Sequence, residues 1–260
     1  MISKRFQFTG SLGYKLSALL DLPENSETAA YAIFAHCFTC NKNYKILNNV
    51  NQALTENNIA VLRFDFTGIG ASQGRFADTN LSSNIGDITA AAEFLDLNYE
   101  APKLLIGHSF GGAAVIHAAL QIQSCMAVVT IATPSNLASI RNLLLSKKHE
   151  LERNGEAVCI ISGRQFRIKK QFLHDLENLN LEQAIKSLNK PMLICHSPLD
   201  EIVSIENAYQ IFELANHPKS FISLDKADHL LSNEQDGRYL GQLIADWASK
   251  YLDFRFFHLP

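Results

Sequence analysis

The stretch LLIGHSFGG, residues 104–112, decides the fold of this chain. An apolar run ends there at the pattern Gly-X-Ser-X-Gly, and an alanine-rich segment with helical spacing follows it. This succession is typical of a strand, a sharp turn and a helix with a serine at the apex, and so tight a turn requires glycine two residues before and after the serine. The pattern therefore predicts that Ser109 is a nucleophile and that Gly107 and Gly111 permit the turn. The alternative is a purely structural turn, because glycine and serine also meet by chance in loops.

The composition indicates a globular enzyme. The chain has 260 residues, of which 47% are hydrophobic and 19% charged, and its net charge is −3. A chain of this size and composition can bury a full core as one large domain, and nothing in its charge favours nucleic acid or an anionic membrane. Its start lacks the apolar region of a signal peptide, and no stretch reaches the about 18 apolar residues of a membrane span. Five cysteines are scattered along the chain, which favours a reducing, cytoplasmic location without structural disulfides.

Strands and helices alternate along the chain. Apolar runs and alternating patterns predict strands at residues 5–9, 15–21, 30–35, 60–64, 103–107, 128–131, 192–196 and 220–224. Helical spacing marks segments near residues 46–54, 85–95, 205–215 and 238–251. This alternation predicts an α/β fold with a mostly parallel central sheet and helices on both faces.

Residues 134–190 interrupt this rhythm. They contain a predicted helix at 143–151, a predicted hairpin of 158–161 and 166–168 around Gly163, and two helical pieces within 172–188. We interpret them as a small cap inserted at the carboxyl edge of the sheet, with residues 1–133 and 191–260 forming the core of a single structural domain. The alternative is a long crossover packed on the flank of the sheet.

A serine hydroxyl needs a general base, and the base needs an acid that orients it. In proteins with this strand–turn–helix arrangement the partners follow the nucleophile in the order Ser, acid, His. Asp200 comes after the strand at 192–196, and His229 comes after the strand at 220–224. The order predicts a triad of Ser109, Asp200 and His229. The alternatives are that Asp200 only caps a turn and that His229 is an ordinary polar residue; Asp225 and Asp228 are too near His229 to be preferred as its orienter.

Two backbone amides must hold the oxyanion that develops during attack. One should be the amide of Phe110, directly after the nucleophile, and the other should come from the loop after the strand at 30–35. This loop reads HCFTC, residues 36–40, and Phe38 is the residue whose amide should face the site. Cys37 occupies the position where glycine is common.

The same loop contains a Cys-X-X-Cys pair, Cys37 and Cys40. Such pairs also occur at redox and metal sites. No second cysteine pair or His-X-X-His pattern completes a zinc site, so we predict neither a metal nor an organic cofactor. Cys125, Cys159 and Cys195 have apolar neighbours and are predicted to be small core residues.

The segment RFDFTGIGASQG, residues 63–74, is a glycine-rich loop after a strand. Its spacing does not match the Gly-X-Gly-X-X-Gly of a dinucleotide site, and no helix follows directly. We interpret Asp65 and the glycines as shaping a tight loop beside the site entrance.

Together these motifs resemble the α/β-hydrolase superfamily over nearly the whole chain. The segments HCFTC (36–40), LRFDFTG (62–68), IGHS (106–109), GRQF (163–166), HPKSF (217–221) and ADHLL (227–231) are most similar to the hydrolase half of proteins that fuse an α/β-hydrolase to an OsmC-like domain. A weaker similarity links the chain to cinnamoyl and feruloyl esterases with a hairpin-bearing cap. The resemblance implies a serine hydrolase with Ser109, Asp200 and His229 as its triad. Because the chain ends at Pro260, we expect no peroxide chemistry of the OsmC type.

The expected activity is hydrolysis of small-molecule carboxylic esters with short to medium acyl chains, since bulky Phe166 and Phe172 belong to a small cap. A thioesterase or small amide hydrolase would use the same residues. A ligand-binding protein without activity and a thiol redox protein are alternatives from other classes, although the first often lacks a triad member.

The last residues, 253–260, contain three phenylalanines in four positions. So apolar a terminus is expected to pack rather than to fray in water. It packs either on the body of the same chain or in a homodimer contact.

Overall fold

A computed structural model describes residues 1–24, 26–161 and 163–252. The strands are β1 (Ile2–Thr9), β2 (Lys15–Leu22), β3 (Ala30–Ala35), β4 (Ile59–Phe64), β5 (Leu104–His108), β6 (Ala127–Ile131), β7 (Glu156–Ile161), β8 (Arg164–Lys169), β9 (Met192–His196) and β10 (Lys219–Ser223). Eight of them form one sheet in the order β1-β2-β4-β3-β5-β6-β9-β10. The pairs from β4 through β10 are parallel, whereas β1 with β2 and β2 with β4 are antiparallel. The predicted fold class and mostly parallel sheet are therefore confirmed.

Helices cover both faces of this sheet. They are α1 (Lys45–Glu56), α2 (Leu81–Asn98), α3 (Phe110–Ala119), α4 (Ala138–Ser146), α5 (Lys148–Asn154), α6 (Lys170–Asn178), α7 (Leu181–Ser187), α8 (Glu206–Leu214) and α9 (Glu234–Ala248). One core cluster contains side chains of α1 and α9, and the other contains side chains of α2, α3, α7 and α8. Strands β3, β4, β5, β6 and β9 are buried along their whole length between these layers. This burial explains why they are almost continuously apolar in sequence.

Within the described part of the chain, no helix is both long and apolar enough to cross a bilayer.

The segment between β6 and β9 contains four helices, α4 to α7, and the β7–β8 hairpin, which forms a separate two-stranded sheet. The predicted hairpin and the two helical pieces after it are present. The single helix predicted at 143–151 is wrong, because Lys147 has a non-helical backbone (φ −104°, ψ 10°) that separates α4 from α5. Leu144 and Leu151 are nevertheless both buried, one on each helix. The apolar spacing thus predicts the buried positions, whereas it does not predict the break between the two helices.

The predicted contact of the apolar terminus, residues 253–260, lies outside the described residues. The homodimer therefore stays a prediction.

Candidate active site

The turn between β5 and α3 holds Ser109 at its apex. The backbone of Ser109 has φ 55° and ψ −121°, a conformation that costs free energy and persists only where its surroundings enforce it. The serine amide donates to the carbonyl of Ile131 on β6 at 2.8 Å. A Cβ on Gly107 would lie 2.4 Å from the carbonyl oxygen of Gly111, and a Cβ on Gly111 would lie 2.5 Å from that of Ala35. We call residues 107–112 the elbow. Gly107 and Gly111 are required in it, because neighbouring backbone occupies the space that a side chain would need.

The three residues predicted as a triad meet at the carboxyl edge of the sheet. His229 Nε2 lies 3.2 Å from Ser109 Oγ, and His229 Nδ1 lies 2.7 Å from Asp200 Oδ2. The Asp200 carboxylate is fully buried and the His229 side chain is 10% exposed, whereas Ser109 is half-buried. The structure therefore brings together a hydroxyl, an imidazole and a carboxylate in an unbroken line of hydrogen-bond contacts.

Asp200 is held as an anion. Burial alone would raise its pKa, but hydrogen bonds from His196, His229 and the amide of Val203 outweigh burial and lower the pKa of Asp200. Its Oδ1 accepts from the amides of Ile202 and Val203, each at 2.9 Å. The carboxylate is thus fixed in direction as well as in charge, and it can orient an imidazole. His196, at the end of β9, was missed by the sequence analysis, although it lies only four residues before Asp200. Its Nε2 donates to the carbonyl of Val203 at 2.7 Å and lies 3.4 Å from Asp200 Oδ2.

The other two acids near His229 have different partners. Asp228 Oδ1 accepts from the amides of Leu230 and Ser232 at 3.1 and 2.9 Å. Asp225 Oδ1 accepts from the hydroxyl of Ser223 at 2.6 Å. Both carboxylates therefore cap local turns, and Asp200 alone of the three has a hydrogen bond to the His229 ring within the described part of the chain.

His108, directly before Ser109, is a second residue that sequence analysis missed. Its Nε2 lies 2.7 Å from the carbonyl oxygen of His229. Burial, together with the nearby charge of His229, lowers the pKa of His108 to about 3. The ring is therefore neutral, with the proton on Nε2, and it ties the backbone of His229 to the elbow. Its other nitrogen, Nδ1, is buried without a partner among the described residues.

Phe38 and Phe110, the two residues predicted to supply the oxyanion donors, are in contact through their side chains. The rings of Phe38 and Phe110 pack with centroids 4.7 Å apart, so the loop after β3 adjoins the elbow. Within the described ranges, neither the Phe38 amide nor the Phe110 amide has a hydrogen-bond acceptor. Backbone amides without acceptors are suited to bind a negatively charged oxygen.

The loop after β3, residues 36–42 (the β3 loop), is anchored by polar contacts at both ends. At its start, His36 Nδ1 donates to the Cys37 carbonyl at 2.8 Å and Nε2 accepts from the amide of Phe66 at 3.4 Å. At its end, Lys42 donates to Asp65 through its amide at 2.7 Å and through its ammonium group at 2.6 Å. This ion pair is almost fully buried. Asp65 thus shapes the glycine-rich loop, as predicted, and also anchors the β3 loop.

Arg164, at the start of β8, contacts the middle of the β3 loop. Its guanidinium donates to the carbonyl of Thr39 and lies 5.5 Å from the ring centroid of Phe166. The hairpin therefore contacts the segment that supplies the Phe38 amide.

The expectation that the chain has no disulfide is wrong, since Cys37 and Cys40 are joined in the structure. The Cys40 amide donates to the Cys37 carbonyl at 3.2 Å, and this turn brings the two Cα atoms to 5.2 Å, within the usual range for a disulfide. Cys125, Cys159 and Cys195 are buried and free, as predicted. The cytoplasmic location stays a prediction.

An aromatic cluster continues from the two donors into the segment between β6 and β9. Phe172 lies 5.4 Å from Phe38 and 6.3 Å from Phe110, and Phe76 lies 5.3 Å from Phe38 and 4.7 Å from Phe166 (all between ring centroids). Phe172 and Phe110 are fully buried, and the other three are half-buried. One side of the site is therefore apolar and bulky.

Comparison with known proteins agrees with this geometry. The model of the family described as serine aminopeptidase, S33, matches residues 29–151. The esterase domain of a Rhodothermus marinus protein is 47% identical with a TM-score of 0.80, and the match covers 97% of this chain and 100% of that domain. Est1E from Butyrivibrio proteoclasticus, solved with ferulic acid bound, shares the fold at 22% identity with a TM-score of 0.77, over 94% of this chain and 98% of the other.

Mitochondrial palmitoyl-protein thioesterase ABHD10 of Mus musculus is 28% identical over 198 residues, which are 74% of this chain and 66% of that protein. The chain spans just under two thirds of the length of this protein and its mammalian counterparts, 64% to 66%.

The chain belongs to the α/β-hydrolase superfamily. The predicted resemblance to the superfamily is confirmed, whereas the closer likeness to proteins fused to an OsmC-like domain stays a prediction.

Proposed function

We propose that this protein is a serine hydrolase that cleaves carboxylic esters through an acyl-enzyme. The observation that carries the proposal is the hydrogen-bonded line from Ser109 through His229 to buried Asp200, at distances of 3.2 and 2.7 Å. His229 Nε2 takes the proton of the Ser109 hydroxyl as Oγ attacks the ester carbon, and Asp200 stabilises the imidazolium that forms. The amides of Phe38 and Phe110 hold the negatively charged oxygen of the tetrahedral intermediate.

Collapse of this intermediate completes the first half-reaction. The imidazolium returns its proton to the leaving alcohol, and the acyl group remains on Ser109. Water then attacks the acyl carbon with His229 again as the base, and the acid product leaves. Proton transfer, charge stabilisation and positioning are all performed by residues of this chain.

The aromatic cluster supports a preference for short to medium or planar acyl groups. Phe38 and Phe110 belong both to the proposed oxyanion hole and to this cluster, so the cluster adjoins the position of an acyl group on Ser109. Phe172, which is 1% exposed, lies beside the rings of both Phe38 and Phe110. Aromatic walls of this kind favour compact apolar groups and disfavour polar ones.

A thioesterase is the second candidate, and a groove lined in part by His229 favours it. The groove has a volume of about 420 Å³, and its apolar lining includes Leu199 and Ile202, which are 60% and 73% exposed. Exposed apolar side chains in a groove are suited to an alkyl chain. The relation to the palmitoyl-protein thioesterase of Mus musculus agrees with this candidate.

Matched substrates distinguish the two candidates. Labelling with a fluorophosphonate, followed by mass spectrometry, first establishes whether Ser109 is the reactive residue. If the folded chain takes up no label, the proposal of a serine hydrolase is contradicted and a binding protein without activity is favoured. Paired O-esters and S-esters with acyl chains of two to sixteen carbons then give kcat/KM for each. The ester proposal expects the highest values for O-esters of short to medium chains, whereas higher values for long S-esters would replace it with the thioesterase.

A further inference from the structure

Three side chains that can bind a metal meet between the β3 loop and the elbow. They are Cys37, Cys40 and His108, and one ligand atom from each lies within 4.8 Å of the other two. All three residues are buried. The proposed hydrolysis uses none of them as a reacting group.

The state of the His108 ring points to a ligand. Because Nε2 donates to the carbonyl of His229 at 2.7 Å, the lone pair of the neutral ring is on Nδ1. This atom is fully buried and has no hydrogen-bond partner in the described part of the chain. Leaving such an acceptor unpaired in the interior is unfavourable, so its burial calls for a partner. Nδ1 of a neutral imidazole is also an ordinary metal ligand.

The geometry of the cluster suits a tetrahedral soft cation. Zinc binds thiolate at about 2.3 Å and imidazole at about 2.0–2.1 Å. Such bonds place the ligand atoms of one ion roughly 3.5–3.8 Å apart. The three atoms here lie within 4.8 Å of one another, and because the two sulfur atoms are joined in this structure, reduction must part them before both can bind one ion. The Cys-X-X-Cys spacing is one that zinc sites use for a pair of ligands.

We propose that the reduced chain binds one zinc ion through the thiolates of Cys37 and Cys40 and Nδ1 of His108, with water in the fourth position. This site is distinct from Ser109 and takes no part in bond cleavage. The sequence contains no second cysteine pair or His-X-X-His pattern. The third ligand is instead His108, the residue before the nucleophile, which the fold brings to the β3 loop.

The disulfide and the zinc site are alternative states of the same two sulfur atoms. A dithiol reductant transfers two electrons and two protons to the disulfide and becomes a disulfide itself, leaving the two cysteines as thiols. Zinc binding then displaces both thiol protons into solution, because only the thiolate is a ligand. Oxidised chain should therefore bind no zinc at this site.

The test is zinc binding by the untagged chain, measured against a chromophoric chelator. Reduced chain, freed of reductant under anaerobic conditions, is expected to bind one equivalent, and disulfide-bonded chain none. Cobalt(II) added to reduced chain should give a thiolate-to-metal charge-transfer band, which reports sulfur ligation directly. Cys40→Ser should abolish this band or weaken zinc binding at least about 100-fold.

Two further variants complete the design. His108→Gln keeps a donor for the His229 carbonyl but removes the imidazole lone pair, and it should weaken zinc binding about as much as Cys40→Ser. Cys125→Ser, which changes a buried cysteine outside the cluster, should leave binding unchanged. Circular dichroism checks that each variant is folded. The proposal is overturned if reduced wild-type chain binds zinc no more tightly than oxidised chain, or if its cobalt complex lacks the charge-transfer band, which would mean that a cysteine thiol simply donates to Nδ1. Neither result would affect the proposed hydrolysis.

Discussion

The elbow and the β3 loop each supply one of the proposed oxyanion donors, but they are held in place in different ways. The elbow is fixed by close backbone packing, since a Cβ atom on Gly107 would meet the carbonyl oxygen of Gly111 and one on Gly111 would meet those of Ala35 and His36. The β3 loop is fixed from within by the disulfide of Cys37 and Cys40. It is also fixed from outside, by Asp65 at its end, by Arg164 at its middle and by the Phe66 amide that donates to His36 at its start. The donor on the elbow thus depends on backbone packing, whereas the donor on the β3 loop depends also on two distant segments, at residues 65–66 and at residue 164.

Removal of the nucleophile should have the largest effect of all. Ser109→Ala leaves both loops intact and removes only the attacking oxygen, so kcat for ester hydrolysis should fall by about 10⁴- to 10⁶-fold. His229→Ala should be about as damaging, since the triad acts as a unit. Steady-state kinetics with a p-nitrophenyl ester measures both. Normal turnover by a folded Ser109→Ala chain would show that the elbow serves another purpose.

Loss of the orienting carboxylate should come next. Asp200→Asn is expected to reduce kcat by roughly 10⁴-fold, because the imidazole is left in the wrong tautomer and its charged form is less stabilised. Asp228→Asn is the matched control: this residue is adjacent to His229 in sequence but caps a local turn. Kinetics of the two variants under identical conditions decide between them. A larger loss for Asp228→Asn would mean that the wrong acid has been assigned.

The elbow itself can be broken by a single methyl group. A Cβ on Gly111 would lie 2.5 Å from the carbonyl oxygens of both Ala35 and His36. Because these are backbone atoms that cannot turn aside, Gly111→Ala should lower the free energy of unfolding by about 3 kcal/mol, the upper end for overpacking. Gly155→Ala is the control: it has positive φ with nothing within 4 Å, so only the left-handed backbone is penalised, at about 1–2 kcal/mol. Urea denaturation measures both, and equal losses would mean that the close approach does not hold the elbow.

The same contrast explains what sequence analysis could predict. The elbow, the parallel strands and the order of Ser109, Asp200 and His229 depend on local patterns, and the structure brings those three residues together. The roles of His108, His196 and Arg164 depend on contacts between segments far apart in sequence or on ring orientation. The disulfide of Cys37 and Cys40 was missed because cysteine counts report the compartment and not the turn that joins them. Local steric constraints can be predicted from the sequence, whereas polar contacts between distant segments can be identified only once the fold is known.

Each loop also buries one histidine, and together they should make the fold sensitive to acid. Burial lowers the pKa of His36 to about 4 and that of His108 to about 3, from 6.5. At pH values between these two pKa values and 6.5, both histidines are protonated in the unfolded chain but neutral in the folded chain. The free energy of unfolding is therefore highest above pH 6.5 and falls as the pH decreases. Each histidine contributes a slope of about 1.4 kcal/mol per pH unit. Urea denaturation from pH 5 to 6, where the unfolded histidine is mostly protonated, should show a slope that His108→Gln reduces by nearly this amount. His149→Gln, at an exposed position, is the control and should leave the slope unchanged. Equal slopes in both variants would contradict the buried, neutral state of His108.

The smallest effect should come from the contact between the hairpin and the β3 loop. Arg164→Met removes the donor to the Thr39 carbonyl but keeps an apolar stem over Phe166. The loop should then hold the Phe38 amide less precisely, and kcat should fall about 5-fold, which corresponds to the roughly 1 kcal/mol of one hydrogen bond. Arg167→Met is the control, because this arginine is on the same strand but pairs with Glu156 at 2.6 Å, away from the loop. Since the contact orders a donor that acts in the transition state, the loss should appear in kcat more than in KM. If both variants kept wild-type kcat, the β3 loop would be set by its two ends alone, and the hairpin would only cover it.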